Sequence, residues 1–190
     1  MNVNAHPLPS RHRFTVEDYH RLGEAGVLSE DDRVELIEGE IIDMAPIGSD
    51  HAGLVTRLNR VLVRAVGDRA LVSVQNPIRL TDQSEPQPDF ALLKPRADDY
   101  RTNLPTPSEV LWVIEVADTS LAYDRSVKVP LYARHGIPEV WLIDLAGQAV
   151  EVFLDPAAEG YREVRRYGPA DRLRPALLPD LEVDLAAVLG

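Results

Sequence analysis

Two carboxylates in this 190-residue chain stand where acids are expensive. Asp89 follows Pro88 and opens the apolar run Phe90-Ala91-Leu92-Leu93. Glu115 is the one charged residue of Val110-Leu111-Trp112-Val113-Ile114-Glu115-Val116-Ala117. Runs apolar on both faces read as strands inside a sheet. A carboxylate beside a core is costly unless a partner compensates it. Each acid alone also reads as a strand-end carboxylate that caps a loop or pairs with an arginine. Together, with Lys128 downstream, they point to a shared site. Mg²⁺ or Mn²⁺ takes one or two carboxylates, carbonyl oxygens and waters. Asp89 and Glu115 on neighbouring strands offer that set, with the carbonyl of Val116 or Ala117 as a third donor.

Hydrolytic chemistry at a phosphate also needs a cation of the protein's own. Nucleases of the proline-aspartate…glutamate-x-lysine kind carry it two residues past the glutamate, where this chain has Ala117. Lys128 lies four residues after Asp124 and four before Tyr132, so the three share one face of a helix. An ammonium there can orient an attacking water or offset developing charge, with Tyr132 orienting the lysine. The other reading is a surface Asp124–Lys128 pair, a weak intrahelical contact.

The formal net charge is −11, which argues against tight, metal-free nucleic-acid binding, since that affinity comes from phosphate neutralisation. It leaves a nuclease open, because acidic ligands count as negative until ions bind. The arginine clusters Arg57, Arg60, Arg64, Arg69 and Arg162, Arg165, Arg166 read as solvated faces or as phosphate tracks. Cysteine is absent, which excludes a disulfide framework, thiolate zinc sites and cysteine nucleophiles and fits a reducing cytoplasm. Residues 1–13 read as a loose N-terminal arm with no apolar signal core. No apolar run approaches the roughly 18 residues of a membrane span.

The elements that must position these residues are legible from periodicity and punctuation. Thr15 to Gly26 reads as a helix, with Thr15 and Asp18 resembling a capping box. Arg33–Ile37 and Glu40–Met44 around Glu38-Gly39 read as a β-hairpin. Ser49 is expected to cap a long helix whose apolar stripe is Leu54, Val55, Leu58, Val61, Leu62, Ala65 and Val66, closed by Gly67. Strands are expected at Ala70–Gln75, Ile78–Leu80, the Asp89 and Glu115 runs and Glu139–Asp144. Residues 94–109 read as a long surface loop, and Leu121–His135 as a helix kinked by Pro130. Gln148–Leu154 and Tyr161–Tyr167 read as a closing antiparallel pair, and Asp184 as the cap of a short last helix. The fold class is α/β: a central mixed sheet of roughly four or five strands flanked by helices, with an antiparallel extension.

An ordered set of segments gives this chain a resemblance. The segments are Glu35-Leu36-Ile37-Glu38-Gly39-Glu40-Ile41-Ile42, Pro46-Ile47-Gly48-Ser49-Asp50-His51, Pro88-Asp89 and Val113-Ile114-Glu115-Val116. Tyr123-Asp124-Arg125 with Lys128 and Tyr132 follow, and then Gly136-Ile137-Pro138-Glu139-Val140-Trp141-Leu142-Ile143-Asp144. Over about residues 13–189 the chain resembles the Uma-type restriction-endonuclease family, within the PD-(D/E)xK nuclease superfamily. The resemblance implies a restriction-endonuclease-like domain over residues 14–190, with Asp89 and Glu115 as metal ligands and Lys128 as the relocated catalytic lysine. It also implies Glu35 as a further acidic site residue, where the residues alone allow an exposed hairpin acid. His51 matches the family histidine at the start of the long helix, where a hydrogen-bonded structural histidine is the alternative.

The leading functional expectation is a Mg²⁺- or Mn²⁺-dependent endonuclease acting on DNA as a homodimer, since two strands are cut and such enzymes often pair symmetrically. A catalytically inactive module of the same fold, binding nucleic acid or a protein, is the alternative. A two-carboxylate glycosidase fits poorly, because 6% aromatic residues leave few sugar platforms and Lys128 has no task there. Mutual repulsion of the acids predicts that Asp89→Asn stabilises the metal-free protein.

Overall fold

The computed structural model describes residues 11–29 and 31–190. In chain order the elements are α1 (Val16–Glu24), β1 (Val34–Ile37), β2 (Glu40–Asp43), α2 (Ser49–Val66), β3 (Leu71–Val74), β4 (Phe90–Leu93) and β5 (Val110–Ala117). Then follow α3 (Leu121–Tyr123), a π turn (Asp124–Lys128), α4 (Val129–Arg134), β6 (Glu139–Asp144), β7 (Ala149–Ala157), β8 (Gly160–Tyr167), β9 (Arg172–Leu173), β10 (Val183–Asp184) and α5 (Ala186–Leu189). No helix among the described residues is long and apolar enough to cross a membrane.

The sheet that carries the site has six strands in the order β3-β4-β5-β6-β7-β8. Only β5 and β6 run parallel. Both strands are buried along their whole length, as a strand covered on two faces requires. Alternation then divides their side chains. Phe90, Trp112, Ile114, Trp141 and Ile143 pack with Leu54, Leu58 and Leu62 of α2, while Ala91, Val113, Val140 and Leu142 pack with Leu131 and Tyr132 of α4. The two tryptophan rings lie 5.9 Å apart in the first layer. Glu115 has the parity of Val113, so it faces α4. The small β1–β2 hairpin and the β9–β10 pair stand outside the main sheet.

Most expected elements are present, with local corrections. The central strands β3 to β6 carry β7 and β8 as the expected antiparallel extension, which makes the sheet six-stranded. Ile78–Leu80 is no strand: it is an irregular segment that buries Ile78 and Leu80 while its amides reach Pro86, Ser84 and Pro105. Gly48, not Ser49, is the N-cap of α2, and no side chain caps that end. The irregularity expected at Pro130 takes the form of the π turn just before it. There the N–H of Val129 bonds the carbonyl of Asp124, five residues back. Pro130 thus falls in the first turn after the break, where its missing donor costs least.

The arm expected over residues 1–13 falls mostly on residues 1–10, outside the described residues. Arg13 is docked, donating to the Glu38 carbonyl at 2.8 Å. The Arg162, Arg165 and Arg166 cluster is paired with Asp155, Glu163 and Glu151, and Arg57 and Arg69 donate to backbone carbonyls. The second cluster is thus neutralised by neighbouring acids and Arg57 and Arg69 are tied to the backbone, while Arg60 and Arg64 stay exposed on the face of α2.

Candidate functional site

The strand β4 begins one residue after Asp89 and lies antiparallel to β5 with Phe90 opposite Ile114. That register sets Asp89 beside the Glu115 end of β5, and the Asp89 Oδ2 accepts the Val116 N–H at 2.9 Å. The side-chain amide of Gln75, at the end of β3, donates to Oδ1 at 3.1 Å. His51, in the first turn of α2, brings Nε2 to 3.1 Å. Burial works to raise the Asp89 carboxyl, but these donors outweigh it and hold the group below its ordinary value. The same hydrogen bond holds His51 above its ordinary value. The His51 Nδ1 is buried with no partner.

Glu115 is 3% exposed and faces the helical segment beyond β5. The Lys128 Nζ lies 2.8 Å from its Oε1, and the Tyr132 hydroxyl donates to the same oxygen at 2.6 Å. Tyr132, expected to orient Lys128, thus acts on the glutamate that the lysine also touches. Lys128 is 4% exposed and Asp124 5%, so the alternative of a surface pair is overturned. The widened π turn carries both inward, and Ser120 donates to Asp124 at 2.6 Å. Burial pushes the Glu115 carboxyl up to about 8, against the pull of the Lys128 ammonium. Burial also opposes charge on Lys128, yet Glu115, Glu35 and Asp124 together hold it above its ordinary value.

Glu35 is no exposed hairpin acid. It is 3% exposed, its Oε2 accepts the Gln87 N–H at 3.1 Å, and Lys128 approaches the same oxygen at 3.3 Å. Glu35, His51, Asp89, Glu115, Asp124 and Lys128 all line one cavity of about 280 Å³. Tyr132 reaches it only through Glu115. The sequence reading missed Gln75, Gln87 and the Tyr123 hydroxyl, which is buried beside this cavity without a partner. Amides and a phenol carry no signature in a single sequence. Gln75 alone had a trace of one, ending a short strand just before Pro77.

The donor set suits a hard cation. Two carboxylates meet the one or two that Mg²⁺ or Mn²⁺ takes alongside waters. Burial raises the Glu115 carboxyl, and added positive charge in the cavity would favour its ionised form. Among the described residues no three histidine, aspartate or glutamate side chains are disposed as a ready cage. Any ion here therefore relies on water or substrate oxygens for the rest of its shell.

Comparison with known proteins bears on the whole chain. Residues 16–186 match the Uma2 family model, whose description is "Putative restriction endonuclease". No curated protein matches. A solved structure described as "a putative nuclease belonging to DUF820 from Anabaena variabilis ATCC 29413" superposes with a TM-score of 0.75 at 20% identity. The match covers 93% of this chain and 97% of that one, and at this identity it establishes the fold.

Proposed function

The chain belongs to the Uma2 restriction-endonuclease family, and on that premise we propose that it is a metal-dependent endonuclease hydrolysing DNA phosphodiester bonds. The observation that carries this reading is the convergence of Asp89, Glu115 and Lys128 on one cavity from two strands and a π turn. Asp89 and Glu115 would hold Mg²⁺ or Mn²⁺. When bound, such an ion lowers the pKa of water and shields the scissile phosphate. Lys128, kept cationic by its acid neighbours, would orient the attacking water and offset charge that develops at the phosphate. Tyr132 would fix the Glu115 carboxylate, and His51 with Gln75 would fix that of Asp89.

The intact acid pair and buried lysine favour this reading over an inactive module of the same fold. A cysteine-free chain fits the cytoplasm, and cutting two strands fits a homodimer. The test is incubation with supercoiled plasmid in Mg²⁺ or Mn²⁺. The expected result is metal-dependent nicking or linearisation, lost in Asp89→Ala and Glu115→Gln. Calorimetry should show Mn²⁺ binding weakened in both variants. A folded wild type that binds Mn²⁺ yet never cuts DNA would shift the reading to the inactive module.

A further inference from the structure

Glu35 has no task in the chemistry above, yet it is buried against its cation. It comes from β1, a strand outside the six-stranded sheet. The hairpin is held by backbone contacts to residues 83 and 85, Gly39 N–H to the Gln83 carbonyl at 2.7 Å and Glu85 N–H to the Leu36 carbonyl at 2.8 Å. Its carboxylate is fixed by the Gln87 N–H at 3.1 Å, so the oxygen facing Lys128 is not free to swing away.

The chemistry of the cation sharpens the point. Lys94 and Lys128 are the two lysines of the chain, and its other permanently cationic side chains are arginines. An ammonium has three donors in a tetrahedral array, whereas a guanidinium is a planar fork. At Lys128 two acids on different elements face the ammonium, Glu115 at 2.8 Å and Glu35 at 3.3 Å, so its charge is balanced from two sides.

We infer that Glu35 is a positioning residue: it anchors the Lys128 ammonium independently of Glu115, so that the lysine would keep its place if Glu115 held a metal ion. Docking of the β1–β2 hairpin is then a condition of activity. The inference rests on the reading of Lys128 as the catalytic cation.

The test uses Glu35→Gln, which keeps the side-chain volume and an acceptor for the Gln87 N–H but removes the charge. In protein labelled with ¹⁵N-lysine, two side-chain ammonium groups are in play. Lys94, bonded to the Ser108 carbonyl at the surface, is the internal control. The Lys128 signal should be protected in the wild type and should shift or broaden in Glu35→Gln, with Lys94 unchanged. An unmoved Lys128 signal overturns the inference.

The second arm is kinetic. Glu35→Gln should lower kcat by about tenfold to a hundredfold with little change in KM, as a misplaced group does. Added to Lys128→Arg, which should keep part of the cleavage, it should cost far less than it does in the wild type, because coupled residues are not additive. Losses that multiply would show Glu35 acting by another route and overturn the inference. If the glutamine variant does not fold, Glu35→Asp, which withdraws the charge by one methylene, takes its place in both arms. If the wild type cuts no DNA, the hydrolase reading fails while the ammonium signal still decides whether Glu35 holds Lys128.

Discussion

The imidazole of His51 lies 3.1 Å from the carboxylate of Asp89, so one hydrogen bond joins the first turn of α2 to the leading end of β4. The contact raises the histidine and lowers the aspartate. A histidine raised in the fold adds stability that is complete below its unfolded pKa and is lost as pH rises through the folded value. A depressed aspartate adds stability that is present above its unfolded pKa and is lost as pH falls through the folded one. The contact is therefore strongest in the weakly acidic window between them.

The first prediction follows from that window. NMR titration of His51 should give a midpoint above the ordinary histidine value, and Asp89→Ala should bring it down. The same contact reverses the expectation that Asp89→Asn stabilises the metal-free protein. The carboxylate is favoured in the fold by His51, the Val116 N–H and Gln75, so the amide should lower Tm, most clearly near pH 6. A higher Tm would restore the repulsion argument.

A second prediction concerns the buried cation. Lys128→Met leaves Glu35 and Glu115 without their counter-charge, and breaking such a buried pair costs about 3–5 kcal/mol. Glu115, already raised by burial, loses its stabilising ammonium and shifts further up. An acid raised in the fold contributes most below its unfolded pKa and loses that contribution as pH rises. Urea denaturation should therefore find the deficit of Lys128→Met larger at pH 9 than at pH 6. An equal deficit at both values would contradict the pairing.

Tyr132→Phe supplies a third. It removes the hydroxyl that donates to Glu115 at 2.6 Å while leaving Lys128 in contact. Loss of one partner of a buried hydrogen bond costs about 1–3 kcal/mol. Cleavage should be reduced and not abolished, in contrast to Lys128→Ala, which should lose cleavage yet retain Mn²⁺ binding. Steady-state kinetics and calorimetry on the two variants separate these outcomes.

A fourth tests the frame beneath the site. Leu58 is buried by the sheet at the centre of the α2 stripe, and its truncation to alanine should cost about 2–5 kcal/mol. Arg60, exposed on the same helix, should tolerate alanine with little change in the denaturation midpoint.

The sequence exposed the site wherever a residue violated its surroundings. Glu115 stood out because it interrupts an apolar run, and the α2 stripe because its spacing has one interpretation. The capping box of Thr15 and Asp18 is present as read. Direction was harder to see. Whether Glu35 faces solvent or the interior depends on how the hairpin docks against residues 83–87, which local pattern does not encode. The π turn was hidden for a similar reason: Pro130 announces an irregularity but not its form. Ile78–Leu80 looked like a strand because burial alone selects those residue types. Gln75 and Gln87 matter through single amide contacts that only the folded chain reveals.

The π turn and the hairpin together have a bearing on how the protein folds. Glu35, His51, Asp89, Glu115 and Lys128 meet only after chain segments nearly a hundred residues apart have closed on one another. Contacts of such high sequence separation are entropically late, since their loops must close before any interaction repays them. The main sheet, built mostly of hairpin-like neighbours, can precede them. Refolding should then pass through a form whose strands β6 to β8 are already paired but whose cavity is still unmade, and the proposed metal binding should return after the far-ultraviolet signal of the sheet does.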